Sequence, residues 1–489
     1  MKTANDFALW QRPYFEMLSS DQLAKVYEAS LELLERVGGD FYDDESINLL
    51  ADAGAHVQDN RRVRIPSHLV ERALRSAPQR VVISNRNGKR TLFLEGRNIY
   101  FGTGSDTPFV LDPHTGQRRK AMKADVGNAA RIVDTLPDLD FCMSSALAND
   151  VNEMTSDGHH FEAMVKNTVK PLIITSWSLK GLQKIYEMMV AVKGTEKDLE
   201  MNPFVIVFLM AISPLRFPKE SLQKLLFCAE KRIPLIWTSG CPTMGSTAPI
   251  WPAGAFVVDV AEFLAGLVLS QLKNPGCPVI AGCCGFGSLD MRTGLRPYNS
   301  PEQDFGHICG GEMARYLRLP SWGVGGTSDS KVLDEQAVAQ AYQKLFLSAI
   351  SGANLIHDVG YLDNGLTTSL DLLTICQDFI AGIRRFLRSF VISKETLGVE
   401  AIEKIGPGGD FLTQPDTLQH FKQEIWMPEL IDQQSYPGWA ATGKKTLKQR
   451  ANEKIKWMLD HYEPERLPAS VEKYLSEVTA AYDRQGGKG

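Results

Sequence analysis

A carboxylate and several aromatic residues stand where short apolar runs of this sequence end. Phe101 and Asp106 bound a glycine-containing stretch, and Trp177 and Phe208 stand at the ends of two later runs. A quaternary ammonium ion has no N–H to donate, so aromatic ring faces and a negative charge must hold it. With Tyr361, these residues predict a pocket for such a cation. The alternatives are that Asp106 forms a turn before a proline and that the aromatic residues pack in the core.

The stretch from residue 357 to 368, HDVGYLDNGLTT, is the other place where chemistry is expected. It is polar and contains two glycines, and it lies between an apolar run and a long amphipathic pattern that begins at Leu370. In a barrel of alternating strands and helices, a loop of this kind lies at the catalytic end. His357 is therefore a candidate for binding substrate.

An alternation of eight strands and eight helices is the element pattern that must position these residues. The predicted strands are 98–102, 139–143, 171–175, 203–210, 234–238, 278–283, 321–325 and 354–358, each followed by a helix, the last being 370–390. Their apolar runs do not alternate, as expected of parallel strands buried on both faces. The pattern predicts an α/β fold of the (β/α)8 TIM-barrel type. An open doubly wound sheet is the alternative, but no Gly-x-Gly-x-x-Gly opens the first helix.

Three segments are predicted along the chain. Residues 1–95 form a helical N-terminal section with a hairpin around Asn87-Gly88, and residues 96–392 form the barrel. Residues 393–489 form a C-terminal helical extension that packs on the barrel or on a neighbouring subunit, so a homo-oligomer is expected.

Composition excludes several classes of protein. The chain has 489 residues, 44% of them hydrophobic, and a net charge of −5 without a large basic block, which argues against a nucleic-acid partner. The most apolar stretch, 253–269, carries Asp259 and Glu262, so no membrane segment is expected. Eight cysteines are scattered without a Cys-x-x-Cys pair, and no apolar signal-peptide core follows Met1. We expect a soluble protein with reduced thiols in the cytoplasm.

Metal and cysteine chemistry find little support in the sequence. His159 and His160 are adjacent on a predicted helix, so their side chains diverge by about 100° and would chelate a metal poorly. Cys283 and Cys284 end a strand, where adjacent residues face opposite sides. A metal-dependent or cysteine-dependent hydrolase, with His357 as the base, remains an alternative.

Three segments of the chain resemble the trimethylamine methyltransferase (MttB) superfamily, and its members without pyrrolysine most of all. The segments are FGTGSDTP at 101–108, GGTSDSK at 325–331 and HDVGYLDNGL at 357–366. The resemblance extends from about residue 20 to 480. It implies a TIM barrel that transfers a methyl group from an amine to the Co(I) of a separate corrinoid protein. Cobalamin would then belong to the partner, and no cofactor would be bound to this chain.

The resemblance departs from the trimethylamine enzymes at one point. Those enzymes carry pyrrolysine at the catalytic end of the barrel, whereas this sequence contains only standard residues. A quaternary amine is already charged and needs only positioning for attack, which favours glycine betaine as the substrate. Residues matching Asp106 and His357 look like substrate-pocket residues in similar proteins.

The predicted mechanism assigns a role to each candidate residue. Trp177, Phe208 and Tyr361 enclose the trimethylammonium group, and Asp106 supplies charge near it. His357, together with Arg315, binds the substrate carboxylate, although Arg315 could instead form a surface ion pair. Proline betaine, carnitine and trimethylamine are alternative substrates, and a non-catalytic betaine-binding or sensor protein is an alternative of another class.

Overall fold

The computed structural model describes residues 13–283, 285–388 and 390–486, and these residues form a mixed α/β fold. The helices are α1 Ser20–Arg36, α2 Asp44–Asp52, α3 Ser67–Ser76, α4 Lys123–Thr135, α5 Ser156–Asn167, α6 Leu179–Lys193, α7 Glu196–Met201, α8 Lys219–Glu230, α9 Pro252–Lys273, α10 Pro301–Tyr316, α11 Glu335–Ser351, α12 Leu370–Leu387, α13 Lys394–Leu397, α14 Val399–Ile405, α15 Pro415–Glu424, α16 Tyr436–Ala441, α17 Leu447–His461 and α18 Ala469–Arg484.

The strands are β1 Gly39–Phe41, β2 His56–Gln58, β3 Arg62–Arg64, β4 Val81–Ser84, β5 Arg90–Leu94, β6 Tyr100–Phe101, β7 Phe109–Leu111, β8 Arg118–Lys120, β9 Leu172–Ile174, β10 Val205–Met210, β11 Arg216–Phe217, β12 Leu235–Thr238, β13 Thr243–Met244, β14 Val279–Gly282, β15 Gly287–Ser288, β16 Trp322–Val324, β17 Leu355–His357, β18 Tyr361–Leu362 and β19 Thr367–Ser369.

Parallel pairings link the central strands in a closed cycle. Strands β9, β10, β12 and β14 form one sheet, and β16, β17 and β6 form another. A bridge between Ala281 and Ser321 joins the two sheets on one side. Residues 141 and 142 join them on the other side, because Phe141 pairs with Gly102 and Cys142 pairs with Leu172. We call this cycle the ring, and the end where its strands finish the mouth.

Seven of the eight predicted ring strands are formed, with shorter bounds than predicted, while 139–143 contributes only two bridges. The reason lies in Asp140, whose side chain accepts the N–H of Phe101 at 2.7 Å and so takes the place of a backbone acceptor. Arg384 in turn binds Asp138 at 2.7 Å and also binds Asp140. A side-chain bond therefore replaces part of the strand ladder at this position.

Two apolar layers flank the ring, as the two-residue period of a strand requires. The inner layer contains Phe141, Ile173, Ile206, Ile236, Ile280, Trp322 and Leu355, and the hairpin β4–β5 packs against it. The outer layer, between strands and helices, includes Phe101, Val207, Trp237 and Ile356. The predicted hairpin is thus present, and its position against the inner layer closes the ring at the strand starts.

The N-terminal section contains strands that the sequence did not predict. Strands β1, β2 and β3 form a sheet with β11, so this section is not purely helical. Its first helix does start as predicted, because Ser19 and Gln22 form a reciprocal capping box.

Among the described residues, one helix, α9, has the length and apolar character to cross a membrane, but most of it is buried inside the protein. It packs against α1, α3, α8 and α10, and its carboxyl groups Asp259 and Glu262 are completely buried. This is the position of a core helix.

Candidate functional site

The segments 101–108 and 357–368 meet at the mouth, where one small four-stranded sheet pairs the strand that follows the first segment with the hairpin that begins in the second. The stretch after His357 turns back on itself as the hairpin β18–β19, and β19 pairs in parallel with β7. The hydroxyl groups of Thr107 and Thr368 lie 2.9 Å apart across this pairing. The two motifs therefore form one structural unit, although more than 240 residues separate them.

Asp106 is fixed by neutral donors and keeps part of its carboxylate exposed. Ser144 Oγ donates to Oδ1 at 2.9 Å, and Thr175 Oγ1 donates to Oδ2 at 2.6 Å. The backbone of Asp106 has φ of 61°, a left-handed conformation that Asp tolerates better than most residues. The Asp106 N–H also donates to Ser144 Oγ at 3.0 Å, which holds this turn in place.

His160 is the third side chain beside Asp106, with its Nδ1 3.4 Å from Oδ1. The N–H of Ala148 donates to His160 Nε2 at 3.0 Å, so Nδ1 carries the proton of the neutral ring. Burial lowers the pKa of His160 despite the neighbouring carboxylate, so the ring remains neutral near pH 7. His160 thus orients Asp106 without cancelling its charge.

Phe208, Trp322 and His357 form an aromatic cluster inside the ring. Trp322 stacks on His357 with ring centroids 4.0 Å apart, and Phe208 lies 5.7 Å from Trp322 and 6.4 Å from His357. The strand register places Phe208 one strand from Thr175, the residue that binds Asp106, because Val207 pairs with Ile174. Neighbouring strands are about 4.8 Å apart, so the cluster and the residue that holds the carboxylate are neighbours in one candidate site.

His357 is paired with Asp358 and does not present a separate positive charge. Its Nδ1 donates to the carbonyl of Gly323 at 2.7 Å, and its Nε2 lies 3.4 Å from Asp358 Oδ1. Burial lowers the pKa of His357 and raises the pKa of Asp358, so both charged forms are disfavoured. His357 therefore offers hydrogen bonds rather than a free cation.

Trp177 and Tyr361 lie at the mouth but outside the aromatic cluster. Trp177 is 46% exposed, and its indole N–H donates to Ser156 Oγ at 2.9 Å. Its backbone N–H donates to Asp157, whose pKa burial raises to about 6. Tyr361 is buried, and its hydroxyl has no hydrogen-bond partner. Trp177 therefore borders the mouth, and Tyr361 retains a polar atom that a ligand could satisfy.

Two predicted site residues lie away from the mouth. Phe101 points into the outer layer, where the Arg384 guanidinium lies over its ring, because alternate residues of a strand face opposite sides. Arg315 is near the end of α10, and burial lowers its pKa to about 10. Gly352 stands just before β17, and a Cβ added to it would lie 3.6 Å from Arg315 Nη1. Arg315 therefore lies near the end of the ring where the strands start. Neither residue joins the cluster.

Cysteine and metal chemistry receive no geometric support from the described residues. Cys283 is completely buried, and burial raises the pKa of its thiol well above the usual range. Cys284 lies outside the described residues. Within the ranges that are described, no three His, Cys, Asp or Glu side chains are grouped to hold a metal ion.

Sequence reasoning missed four residues of the site: Ser144, His160, Thr175 and Trp322. His160 was considered only as a metal ligand beside His159, which instead binds Asp483 at 3.0 Å. Trp322 could have been found from its strand, since it lies two residues before Val324, which pairs with His357. Ser144 and Thr175 follow ring strands, but nothing in their local sequence distinguishes them from other hydroxyl residues.

Comparisons with known proteins define the class. The family described as "Trimethylamine methyltransferase (MTTB)" matches residues 3–487, so the chain belongs to this family and is a methyltransferase. The solved structure titled "Crystal structure of the hydroxylamine MtmB complex" has a TM-score of 0.52 at 13% identity, covering 92% of this chain and 90% of its own. That likeness supports the mixed α/β fold alone.

Two relatives from Desulfitobacterium hafniense carry different substrate names. The chain is 30% identical to trimethylamine methyltransferase MttB of strain DSM 10664 / DCB-2, over 96% of this chain and 94% of the relative. It is 28% identical to glycine betaine methyltransferase of strain Y51, over 97% of this chain and 99% of the relative. Overall similarity therefore does not distinguish the two substrates.

Proposed function

We propose that this protein transfers a methyl group from a quaternary amine, glycine betaine, to the Co(I) of a separate corrinoid protein. The observation that carries the proposal is the Asp106 carboxylate, which is bound only by neutral donors and whose partner Thr175 lies one strand from the cluster of Phe208, Trp322 and His357. A negative charge next to ring faces is the environment that a trimethylammonium group requires. The ring is, on this proposal, a (β/α)8 barrel formed by residues 96–392, between an N-terminal section 1–95 and a C-terminal extension 393–489.

The chemical step needs positioning and no proton transfer. Cobalt(I) attacks one methyl carbon, the C–N bond breaks, and its electron pair stays on nitrogen as the neutral amine leaves. With glycine betaine the products are dimethylglycine and the methylated corrinoid. Asp106 and the aromatic rings orient the cation so that one methyl group points out of the mouth. The corrinoid is therefore a substrate carried by the partner, and no cofactor is assigned to this chain.

On this proposal, the residues that bind the substrate carboxylate differ from those that the sequence predicted. The buried His357–Asp358 pair contributes hydrogen bonds, and Arg315 contributes nothing because it lies near the strand starts. The buried hydroxyl of Tyr361 and the indole N–H of Trp322 both lack a hydrogen-bond partner and can donate to a carboxylate.

An apolar rim around the mouth supports a protein partner. It consists of large side chains at the ends of ring strands or in the loops that follow them. Each is at least 39% exposed: Trp177, Met210, Ile212, Trp251, Met291 and Leu295. Exposed apolar patches of this kind mark protein-interaction surfaces. Docking here would bring the cobalt of a corrinoid protein over the site. Location in the cytoplasm remains a prediction.

The test supplies glycine betaine, proline betaine, carnitine and trimethylamine separately, each with a Co(I) corrinoid protein. Methylation of cobalt is followed by absorbance. We expect the fastest transfer from glycine betaine and none from trimethylamine, which lacks a permanent charge. Faster transfer from trimethylamine would refute the assignment of a quaternary amine, while activity with only a larger betaine would change the identity of the substrate. Binding without transfer to any corrinoid would favour a sensor protein.

A further inference from the structure

The segment from residue 390 to 427, which we call the C-terminal arm, has no fully buried side chain, although Trp426 near its end packs against Gly382 of α12. It contains α13, α14 and α15, none of which has a buried residue. Twelve of its large apolar side chains are between 36% and 75% exposed, among them Ile392, Ile402, Leu412 and Leu418. Helices in a folded protein are normally stabilised by burying an apolar face, so this arm lacks the surface it should cover.

The exposed apolar area of the arm exceeds what a single chain normally presents. Three of the twelve side chains are aromatic and nine are aliphatic. An aromatic side chain contributes about 150–250 Å² when fully exposed, and with the smaller aliphatic ones the twelve leave on the order of 1,000 Å² uncovered. The largest apolar patch on a typical monomer is roughly 300–600 Å². A stable interface of standard size takes about 800 Å² from each partner. The arm alone therefore provides enough surface for a permanent interface.

Aromatic residues on the barrel side continue this apolar surface. Tyr342 and Phe346 of α11 and Phe379 and Phe386 of α12 form an aromatic ladder, with ring centroids 5.2 to 6.2 Å apart along its three contacts. Tyr342 is 46% exposed and Phe386 is 59% exposed, and Phe386 lies four residues before the arm begins. The ladder and the arm are thus adjacent along the chain, and both expose apolar side chains.

The arm leaves the ring at the end opposite the mouth. Arg384, in the last turn of α12, binds Asp138, which stands just before the second ring segment. The arm returns to the side of α12, where Asp378 accepts the backbone N–H groups of Glu429, Leu430 and Ile431. A corrinoid protein must reach the mouth to accept a methyl group, so it is not the occupant of this surface. That choice of occupant rests on the proposed function.

We propose that a second copy of this chain covers the arm, with the arm of each copy packed on the aromatic ladder of the other. A two-fold arrangement of this kind is self-complementary, because the same arm and ladder are present on both copies. The apolar rim at the mouth remains free for the corrinoid partner, so dimerisation and methyl transfer use different faces.

Sedimentation of the full-length protein tests this inference. The wild-type protein should sediment at twice the chain mass of 54.3 kDa, or a multiple of it, at micromolar concentration. The double variant Ile402→Glu/Leu418→Glu places charges in the interface and should raise the dissociation constant at least about 100-fold. Tyr342→Glu on the ladder should weaken association in the same direction. All three side chains are exposed in the single chain, so folding should be preserved.

Met201→Glu is the matched control, since Met201 is 59% exposed on α7, away from the arm and the ladder. It should leave the sedimenting mass unchanged. A monomeric wild-type protein, or arm variants that associate as tightly as wild type, would overturn the inference. Loss of corrinoid-protein binding with unchanged self-association would also overturn it. Because sedimentation does not measure methyl transfer, failure of the proposed activity would be seen separately.

Discussion

At the scale of single residues, Asp106 at the mouth is held by neutral partners that leave its negative charge uncompensated. Asp106 receives hydrogen bonds from Ser144 and Thr175, and the neighbouring His160 is held in its neutral form by the Ala148 N–H and by burial. A lysine or arginine in the same place would satisfy the carboxylate but would repel a cationic substrate. The site therefore orients its anion without neutralising it, which suits a ligand that carries a permanent positive charge.

Asp106→Asn should weaken binding of glycine betaine and of tetramethylammonium by at least roughly 10-fold, since a charge pair about 4 Å apart is worth about 1–4 kcal/mol. The amide keeps the size of the carboxylate and can still bind Ser144 and Thr175, so the fold should be retained. Calorimetric titration of both ligands measures the effect. Asp21→Asn, on the exposed first turn of α1, should change nothing. Equal affinities for wild type and Asp106→Asn would remove Asp106 from the cation site.

At the scale of elements, the hairpin β18–β19 joins the two motifs. Its position depends on the close contact of Gly104 with Asp358 and Tyr361. The turn of this hairpin has Asp363, Asn364 and Gly365 with φ between 54° and 77°, residue types that tolerate the left-handed conformation. Behind it, Gly104 leaves room for Asp358 and Tyr361. A Cβ at Gly104 would lie 2.1 Å from Asp358 Oδ1 and 2.5 Å from the Tyr361 ring.

Gly104→Ala should therefore displace Asp358 and Tyr361 and lower kcat/KM for methyl transfer by about 10-fold or more. Overpacking of this kind typically costs about 1–3 kcal/mol of stability, which circular dichroism in urea would measure. Gly311→Ala on α10 is the control, because its Cβ would make only ordinary contacts, the nearest at 3.8 Å. If Gly104→Ala retained full activity, the close packing of the two motifs would be irrelevant to the site.

At the scale of the whole molecule, the C-terminal helix α18 is part of the packing around the ring. It contacts α5 and α6, and the completely buried Tyr482 donates its hydroxyl proton to the carbonyl of Met154 at 3.1 Å. Asp483 binds His159, the neighbour of the His160 that faces Asp106. The last helix of the chain thus supports the helix that orients the mouth.

Tyr482→Ala should lower the free energy of unfolding by about 3–5 kcal/mol, the usual loss for a large aromatic side chain in a core. Tyr474→Ala on the same helix is the control, since Tyr474 is 42% exposed and its loss should cost less than about 0.5 kcal/mol. Urea unfolding curves give both values. A single transition in wild type would show that α18 unfolds with the ring. Similar small losses in both variants would mean that α18 is an independent appendage.

The sequence by itself determined the order of the ring strands and of the helices between them, and the family. Apolar runs without alternation mark buried parallel strands, so seven ring strands were predicted in their correct places. The family was predicted from the motifs at 101–108, 325–331 and 357–366 and is confirmed by the family match over residues 3–487. Local pattern and composition suffice for both, because each depends on residues close together in the chain.

Tertiary structure decided which residues lie together in the candidate site and which of their side chains favour a charged form. Phe101 was predicted at the site, but its side chain points outward. Alternate residues of a strand face opposite sides, and the sequence of one strand alone does not show which side faces inward. Trp322 and Thr175 join the candidate site because strands far apart in sequence lie side by side, and His160 joins it because α5 packs beside them. His357 was predicted to bind an anion, yet burial lowers its pKa and disfavours the positive ring, even though Asp358 lies beside it. Burial and pairing are properties of the folded chain, and they determine the charge of a side chain.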